Sequence, residues 1–207
     1  VISYLSGAME YAKNDGADWR EEITPWLIEN LNHSVIDPVV ESKKLIKNYK
    51  EVEFRSWKQT DPKKYIDIIR IAIKKDLDAV VNKADYIICL WDENVFKGAG
   101  THSEVTFAYY HGKPIYLVNK LPINDLSGWI MSCASEIVND FESLKNFLSY
   151  NNFITDNWNA LNILTQQASR VGAIDLGVYS IDEKENFSFF NKLDNDDFKF
   201  IYLLGAD

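Results

Sequence analysis

The chain alternates between short apolar runs and longer segments in which apolar residues recur every three or four positions. Short continuous runs are typical of strands that are buried on both faces, whereas the longer period is typical of amphipathic helices. We expect Pro38 to end the second of the strands that this pattern predicts. The runs that predict strands are VISYLSGAM from Val1, SVIDP from Ser34, DYIICLW from Asp85, IYLV from Ile115 and, more weakly, SEIVN from Ser135.

Helical spacing lies between these strands. Asp18 precedes the first apolar residues of one such segment and is a candidate N-cap, and Pro62 occupies the start of a long amphipathic segment. Residues 41–60 are polar and receive no assignment from their pattern. The predicted helices cover residues 19–31, 62–84, 101–111 and a segment from residue 140 onward.

Buried strands that alternate with amphipathic helices predict a parallel sheet with helices on both faces. The expected fold class is therefore α/β, a three-layer Rossmann-like (flavodoxin-like) fold with a mostly parallel sheet of about five strands. The chain contains neither a Walker loop nor a G-x-G-x-x-G motif. We expect this domain to cover residues 1–149. Residues 150–207, which are rich in aromatic residues, Asn and Asp, form a C-terminal extension without an assigned role.

Composition and charge limit the partners. The chain has 207 residues, 46% hydrophobic and 26% charged, which suits one well-buried domain with a small appendage. Its formal net charge of −9 argues against nucleic acid or an anionic membrane as partner, because both need a basic face. No signal peptide and no apolar segment of membrane-spanning length is evident, so we expect a cytoplasmic protein.

The cysteines and histidines predict neither a disulfide framework nor a metal site. The two cysteines, Cys89 and Cys133, are expected to be small core residues. His33, His102 and His111 lie on different predicted elements, with no carboxylate or Cys at ligand spacing. We therefore expect no cofactor and no metal.

Polar and acidic residues follow the predicted strands. In an open parallel sheet, ligands bind beyond the carboxyl ends of the strands, so these positions are the first candidates for a site. An acidic cleft is expected there. The candidates are Ser6 and Gly7 after the first strand, Asp37 after the second, and Asp92 with the loop 98–104 after the third.

Glu104 has a structural and a chemical interpretation. In Thr101-x-x-Glu104 the two side chains match a capping box, a pattern common in helices that do no chemistry, and this pattern alone favours a structural role. As a reagent, the carboxylate would be kept ionised by the positive end of the helix dipole. Three other candidates also have an ordinary structural interpretation: Asp76 as an ion-pair partner, Asp92 as a turn residue and Tyr4 as a core aromatic residue.

Several stretches together resemble the nucleoside 2-deoxyribosyltransferase family over about the first two thirds of the chain. The resemblance implies a pentosyltransferase that acts on a nucleoside and a nucleobase. Each stretch is unspecific by itself, but their order and spacing match those of the family. The stretches are SYLSGAM in the first strand, Asp18-Trp19 in the first helix, KDLDAVVNKADYIICLW around the third strand, and GTHSEVTFAYYHGKPIYLV from Gly100.

The resemblance assigns a role to each matching residue. Glu104 would attack C1′ of a deoxyribonucleoside and form a covalent glycosyl ester, which an acceptor base or water then resolves. Tyr4 would orient Glu104, and Asp76 would hold the base. Ser6 and Gly7 would line the floor near the sugar.

Two further sets of residues follow from the same resemblance. Gly100 and Thr101 are expected to contact the substrate. Asn124, in the stretch LPIND, matches an Asn that a neighbouring subunit offers to the sugar 5′-hydroxyl, which implies a homo-oligomer, a dimer or larger. The family usually has an Asp two residues before the Gly of G-T, where this chain has Gly98, so Asp92 is the predicted acid for the departing base.

Three functions remain open at this point. The first is deoxyribosyl transfer, and the second is hydrolysis of the N-glycosidic bond of a nucleoside or nucleoside 5′-monophosphate. The loop after the first strand reads Ala8-Met9-Glu10, without an Arg, which disfavours a phosphate. The third is a non-catalytic nucleotide-binding or sensor domain, because fold-level analogy alone is a weak argument for function.

Overall fold

The computed structural model describes residues 1–47 and 51–152, except for the side chains of residues 51–53. A five-stranded sheet in the order β2-β1-β3-β4-β5 forms its centre, and all neighbouring strands run parallel. This order is the flavodoxin-like one, and it confirms the predicted fold class. The strands are β1 (Ile2–Gly7), β2 (Ser34–Ile36), β3 (Tyr86–Trp91), β4 (Ile115–Asn119) and β5 (Glu136–Val138).

Helices connect the strands. The long predicted helix is α4 followed by a π-helical turn, Ala79–Lys83. Apart from residues 150–152, the predicted C-terminal extension lies outside the described residues. The helices are α1 (Ala17–Leu31), α2 (Pro38–Ile46), α3 (Glu51–Thr60), α4 (Pro62–Asp78), α5 (Gly100–Tyr110), α6 (Gly128–Cys133) and a helix α7 that covers residues 141–152. Short 3₁₀ helices cover Lys13–Gly16, Glu93–Lys97 and Ile123–Asp125.

The two faces of the sheet carry two cores, which makes the predicted three layers. On one face, Tyr4, Ile87 and Leu117 pack with residues of the π turn, α5 and α6. On the other face, Leu5 and Ile88 pack with residues of α1 and α7. Because successive side chains of a strand point to opposite faces, each strand contributes to both cores. This explains why the strands read as continuous apolar runs.

The region around Pro38 differs from the prediction. Pro38 does end β2, but it also begins α2, because it occupies the first helical position and Asp37 accepts a 2.8 Å hydrogen bond from the Val39 amide. The unassigned residues 51–60 form α3. Most described residues of α3 are exposed and Trp57 is buried, whereas α2 buries Pro38 and Val39 at its start and is otherwise partly or fully exposed.

The ends of the first helix also depart from the expected capping. Asp18 lies inside α1, where it accepts a hydrogen bond from the Asn14 side chain, and Gly16 is the N-cap. Gly16 has φ +69° and stands after Asn14 and Asp15, which also have positive φ. Three consecutive residues in the left-handed region form a strained turn between β1 and α1.

Within the described residues, no helix is long and apolar enough to cross a membrane.

Candidate functional site

The predicted capping box is not formed. Helix α5 begins at Gly100 with Ala99 as its N-cap, and no side chain caps it. Thr101 is therefore the second residue of the helix, and it is buried. Glu104 turns towards the sheet instead of back to the helix start. This corrects the structural interpretation of the motif, because the Glu104 carboxylate is bonded to another part of the chain.

Glu104 contacts the strand β1. The Tyr4 hydroxyl donates a 2.9 Å hydrogen bond to Oε1 of Glu104, and the Ser6 hydroxyl donates a 2.5 Å hydrogen bond to Oε2. Tyr4 and Ser6 are two positions apart on a strand, so both side chains point to the face that α5 covers. Glu104 is only 8% exposed. Both carboxylate oxygens are thus fixed by donors from one strand.

Burial raises the pKa of Glu104, against the hydrogen bonds from Ser6 and Tyr4 and the positive charge of Arg20, which lower it. Desolvation thus opposes the ionised form of Glu104, which the helix dipole was expected to favour. Burial, followed by the charge of Glu104, also raises the pKa of Tyr4. Tyr4 consequently stays a neutral donor.

Asp76 lies near the end of α4 and is half-buried. Burial, and after it the negative charge of Glu104, raises the pKa of Asp76 to about 7. The site therefore contains two interacting carboxyl groups, of which Glu104 is held by two donors. In such a pair the charge on one group keeps the other protonated. The predicted ion-pair reading of Asp76 does not describe this environment, although Lys75 lowers its pKa to a smaller extent.

Gly7 ends β1 next to Ser6. A Cβ atom at Gly7 would lie 3.1 Å from Trp19 and 3.4 Å from both Arg20 and the Leu90 carbonyl oxygen. These contacts belong to the face of the sheet that α1 covers. Gly7 thus permits the close approach of α1 to β1, and only its backbone is available to a ligand on the Glu104 face.

Among the described residues, neither Asp92 nor Asn124 is hydrogen-bonded to Tyr4, Ser6 or Glu104. Both oxygens of Asp92 accept hydrogen bonds from Asn94, one from its amide and one from its side chain, so Asp92 caps the short helix after β3. Asn124 is exposed in the 3₁₀ turn Ile123–Asp125. Their predicted roles, in protonating the base and in binding the sugar of another subunit, stay predictions.

Sequence reasoning missed Arg20, which is fully buried below the end of β1. A signal was present, because Arg20 stands on the same helical stripe as Ile23, Leu27 and Leu31, all of which are buried. A cation on an apolar stripe indicates a buried polar function. Cys89 and Cys133 are buried and unbonded, as predicted. No group of three or more His, Cys, Asp or Glu residues in the described ranges is placed to hold a metal ion.

Comparison with solved structures identifies proteins of similar fold. The chain superimposes on the 2-deoxyribosyltransferase from Bacillus psychrosaccharolyticus with a TM-score of 0.51 and 16% identity, covering 70% of this chain and 91% of that one. Weaker matches are CMP N-glycosidase from Clostridium botulinum (TM-score 0.44, 17% identity, 73% and 99% coverage) and 2-desoxiribosyltransferase from Leishmania mexicana (0.45, 12%, 72% and 97%). The first match shows that the chain has the fold of a 2-deoxyribosyltransferase.

Sequence comparison finds similarity to a different kind of protein than structure comparison does. A segment of 66 residues is 43% identical to the NADH-ubiquinone oxidoreductase 75 kDa subunit of Reclinomonas americana, and one of 72 residues is 39% identical to the mitochondrial 78 kDa subunit of Candida albicans. These segments are 32% and 35% of this chain, but the chain spans only 9% and 8% of those relatives. No protein-family model matches the chain.

Proposed function

We propose that this protein is a nucleoside 2-deoxyribosyltransferase that cleaves the N-glycosidic bond through a covalent ester on Glu104. The observation that carries the proposal is the buried Glu104 carboxylate held by Tyr4 at 2.9 Å and Ser6 at 2.5 Å. Side chains from α5 and from the carboxyl-terminal part of β1, which pairs with β3, meet there. This is the topological switch point of a sheet in this order, where α/β proteins bind their ligands.

In the first step, an oxygen of Glu104 forms a bond to C1′ of the deoxyribonucleoside while the bond from C1′ to the base nitrogen breaks. The electrons of the broken bond go to the base, and positive charge accumulates on the sugar as the two bonds exchange. Tyr4 and Ser6 each leave one lone pair on the oxygen that they bind, so the carboxylate remains able to attack. Their hydrogen bonds fix its plane and reduce the reorganisation needed for the attack.

Asp76 supplies the proton for the departing base in this proposal. Its pKa of about 7 means that a large fraction of Asp76 is protonated at neutral pH. The hydrogen bonds from Ser6 and Tyr4 and the charge of Arg20 favour the ionised form of Glu104. The proton passes from the Asp76 carboxyl to the base nitrogen, so the base leaves neutral. Asp92 is less suited to this task, because both of its oxygens accept hydrogen bonds from Asn94.

In the second step, a nitrogen of an acceptor base attacks C1′ and the ester bond to Glu104 breaks. Glu104 regains its negative charge, and the proton of the acceptor nitrogen returns to Asp76. Two displacements at one carbon retain its configuration. If water attacks instead, the products are deoxyribose and the free base, which is the alternative function of an N-glycoside hydrolase.

The environment of the loop after β1 favours a nucleoside over a nucleoside monophosphate. The structure brings Arg55 and Lys58 of α3 to this loop, which the sequence did not indicate. Arg55 forms an ion pair with Asp15, and Lys58 forms one with Glu10 at 2.8 Å. Since each cation already faces a carboxylate, the loop offers a phosphate no excess of positive charge.

Incubation with deoxyadenosine, with and without free cytosine, followed by chromatography, tests the proposal. Transfer produces deoxycytidine only when cytosine is present, whereas hydrolysis gives adenine and deoxyribose in both samples. Glu104→Gln should give neither product. Unchanged deoxyadenosine in both samples, over a series of purine and pyrimidine pairs, would indicate the non-catalytic alternative.

The sequence matches favour a second role for part of the chain. We propose that residues 150–207, as a separate segment after the domain of residues 1–149, account for most of the similarity to the NADH-ubiquinone oxidoreductase subunits. The matched lengths of 66 and 72 residues exceed the 58 residues of this segment (150–207) by only a small part of the match, and the deoxyribosyltransferase fold occupies the preceding residues. The chain would then combine a nucleoside-processing domain with a segment of a respiratory subunit.

Native electrophoresis of solubilised mitochondria tests this second role. With antibodies against the chain and against a subunit of NADH-ubiquinone oxidoreductase, co-migration of the two proteins supports the assignment. Deletion of residues 155–207 should abolish co-migration without reducing nucleoside turnover. Co-migration that persists after this deletion would assign the contact to the first domain instead.

A further inference from the structure

Arg20 is a fully buried cation that binds three backbone carbonyl groups. Its Nε donates to the Leu5 oxygen at 3.3 Å, its Nη1 to the Gly16 oxygen at 2.7 Å and its Nη2 to the Gly7 oxygen at 3.0 Å. The planar guanidinium presents its donors in a fixed fork, so these bonds set the relative positions of the three carbonyls. Arg20 therefore joins the end of β1 to the turn before α1.

The charge of Arg20 is compensated only in part. Asp37 approaches its Nε at 3.6 Å, and the guanidinium carbon lies 4.5 Å from the centroid of the Trp19 ring. Asp37 also accepts the capping hydrogen bond from Val39, so its negative charge is shared between two donors. A buried guanidinium in such a setting is costly, which argues that it serves more than the packing of α1.

Arg20 binds the backbone carbonyls of the residues on either side of Ser6. The carbonyls of Leu5 and Gly7 are bound from the α1 face of the sheet, while the Ser6 side chain points to the opposite face and donates to Glu104. The end of β1 pairs with β3 up to Gly7, whereas its register with β2 ends at Tyr4, so Arg20 supplies the contacts to the Leu5 and Gly7 carbonyls past the end of β2. The guanidinium thus fixes the strand at the point where the Glu104 carboxylate is bound.

The turn that Arg20 holds is strained. Gly16 has φ +69°, and a Cβ atom there would lie 2.5 Å from the Ala8 carbonyl oxygen and 2.7 Å from Arg20 Nη1. Strained turns persist only where surrounding contacts stabilise them, and they concentrate at functional sites. The bond from Arg20 to the Gly16 carbonyl stabilises this one and keeps it against the loop that follows β1.

We propose that Arg20 is a positioning residue for Glu104: it holds Ser6 in place through the carbonyls of Leu5 and Gly7, and it places a buried positive charge behind the carboxylate. The effect of Arg20 on catalysis rests on the proposed function, but the positioning of Ser6 and Glu104 by Arg20 does not. Consistent with the geometry, the charge of Arg20 lowers the pKa of Glu104 against the effect of burial.

Two variants separate the two parts of the role. Arg20→Met keeps most of the side-chain length and removes both the charge and the donors, whereas Arg20→Lys keeps a charge and loses the fork. Arg70→Met is the matched control, because it removes the same charge from an exposed position on α4. The titration of the Glu104 carboxyl is followed by carboxyl-carbon NMR, and the Glu104 signal is assigned by its loss in Glu104→Gln.

The titration needs no turnover, so it tests the inference even if the protein is not an enzyme. We expect Arg20→Met to raise the Glu104 midpoint by about one pH unit, Arg20→Lys to raise it by a smaller amount through the weakened Ser6 hydrogen bond, and Arg70→Met to leave it close to the wild type. If Arg20→Met does not fold, Arg20→Gln replaces it with the same expectation. Equal midpoints in the charge-removing Arg20 variant and in Arg70→Met would overturn the electrostatic part.

A double-mutant cycle tests the route through Ser6. If Arg20 acts by holding Ser6, Arg20→Lys should lower kcat about tenfold in the wild type and much less in a Ser6→Ala background. Equal losses in both backgrounds would overturn the route through Ser6. If neither the wild type nor any variant shows turnover, the proposed function is contradicted. The same four proteins are then compared by the titration midpoint of Glu104, which reports the loss of the Ser6 hydrogen bond.

Discussion

Ser6 and Glu104, 98 residues apart in the chain, are joined by a 2.5 Å hydrogen bond between the end of β1 and the second turn of α5. The same carboxylate accepts a 2.9 Å bond from Tyr4, two residues earlier on β1. Because both donors come from one strand, any change at the end of β1 acts on both oxygens of Glu104.

Glu104→Gln should abolish glycosyl transfer and leave the protein folded. The amide preserves the shape and can still accept from Tyr4, but it lacks the charge that attacks C1′. Transfer rates and circular dichroism are measured together, with Glu142→Gln, a change at an exposed residue of α7, as control. A folded Gln variant with normal turnover would refute the nucleophile assignment.

The rate of transfer should fall as the pH rises through about 7, because Asp76 must be protonated to donate to the base and its pKa is raised to about 7. The raised pKa means that the active, protonated form is present below pH 7 and is lost above it. Asp76→Asn should lower kcat at least tenfold and remove this alkaline limb. Profiles of kcat/KM between pH 5 and 9 measure both effects, and an unchanged limb in Asp76→Asn would exclude Asp76 as the acid.

Gly16→Ala should destabilise the protein by about 1–3 kcal/mol, because the residue has positive φ and the new Cβ meets the Ala8 carbonyl oxygen. Gly128→Ala is the control: a Cβ atom there meets nothing within 4 Å. Urea denaturation followed by tryptophan fluorescence gives the free energy of unfolding of both variants. Equal stabilities would show that the turn adapts to a side chain at no cost.

Asn124 should complete the site of a second subunit. It is exposed, and the apolar side chains of Ile123 and Trp129 beside it are 55% and 66% exposed, as is common where another surface binds. Mixing inactive Glu104→Gln chains with inactive Asn124→Ala chains should restore part of the activity, since a mixed dimer contains one intact site. Light scattering should show a dimer or larger. An active monomer would leave Asn124 as a turn residue.

Much of the fold was readable from local pattern. The apolar runs of the strands, weakest in β5, and the helical segments α1, α4, α5 and α7 alternate along the chain, and this alternation predicts a parallel α/β sheet. Helix α3 was missed because its described residues are largely exposed and polar, and helix α2 was missed because Pro38 was expected only to end the preceding strand. The sequence SVIDP alone does not specify whether a helix follows the strand, so it could not show that Pro38 begins α2.

The sequence by itself determined which residues stand near the carboxyl ends of the strands, because strand pattern and chain direction place Ser6 and the loop before Glu104 at the same edge of a parallel sheet. Only the tertiary structure decided what Glu104 does there. The motif Thr101-x-x-Glu104 is compatible with a local cap, and the choice between the cap and the contact with Tyr4 and Ser6 depends on the distance between α5 and β1. Arg20 shows the same limit: its place on the apolar stripe of α1 is visible in the sequence, but its three carbonyl partners come together only when the chain folds.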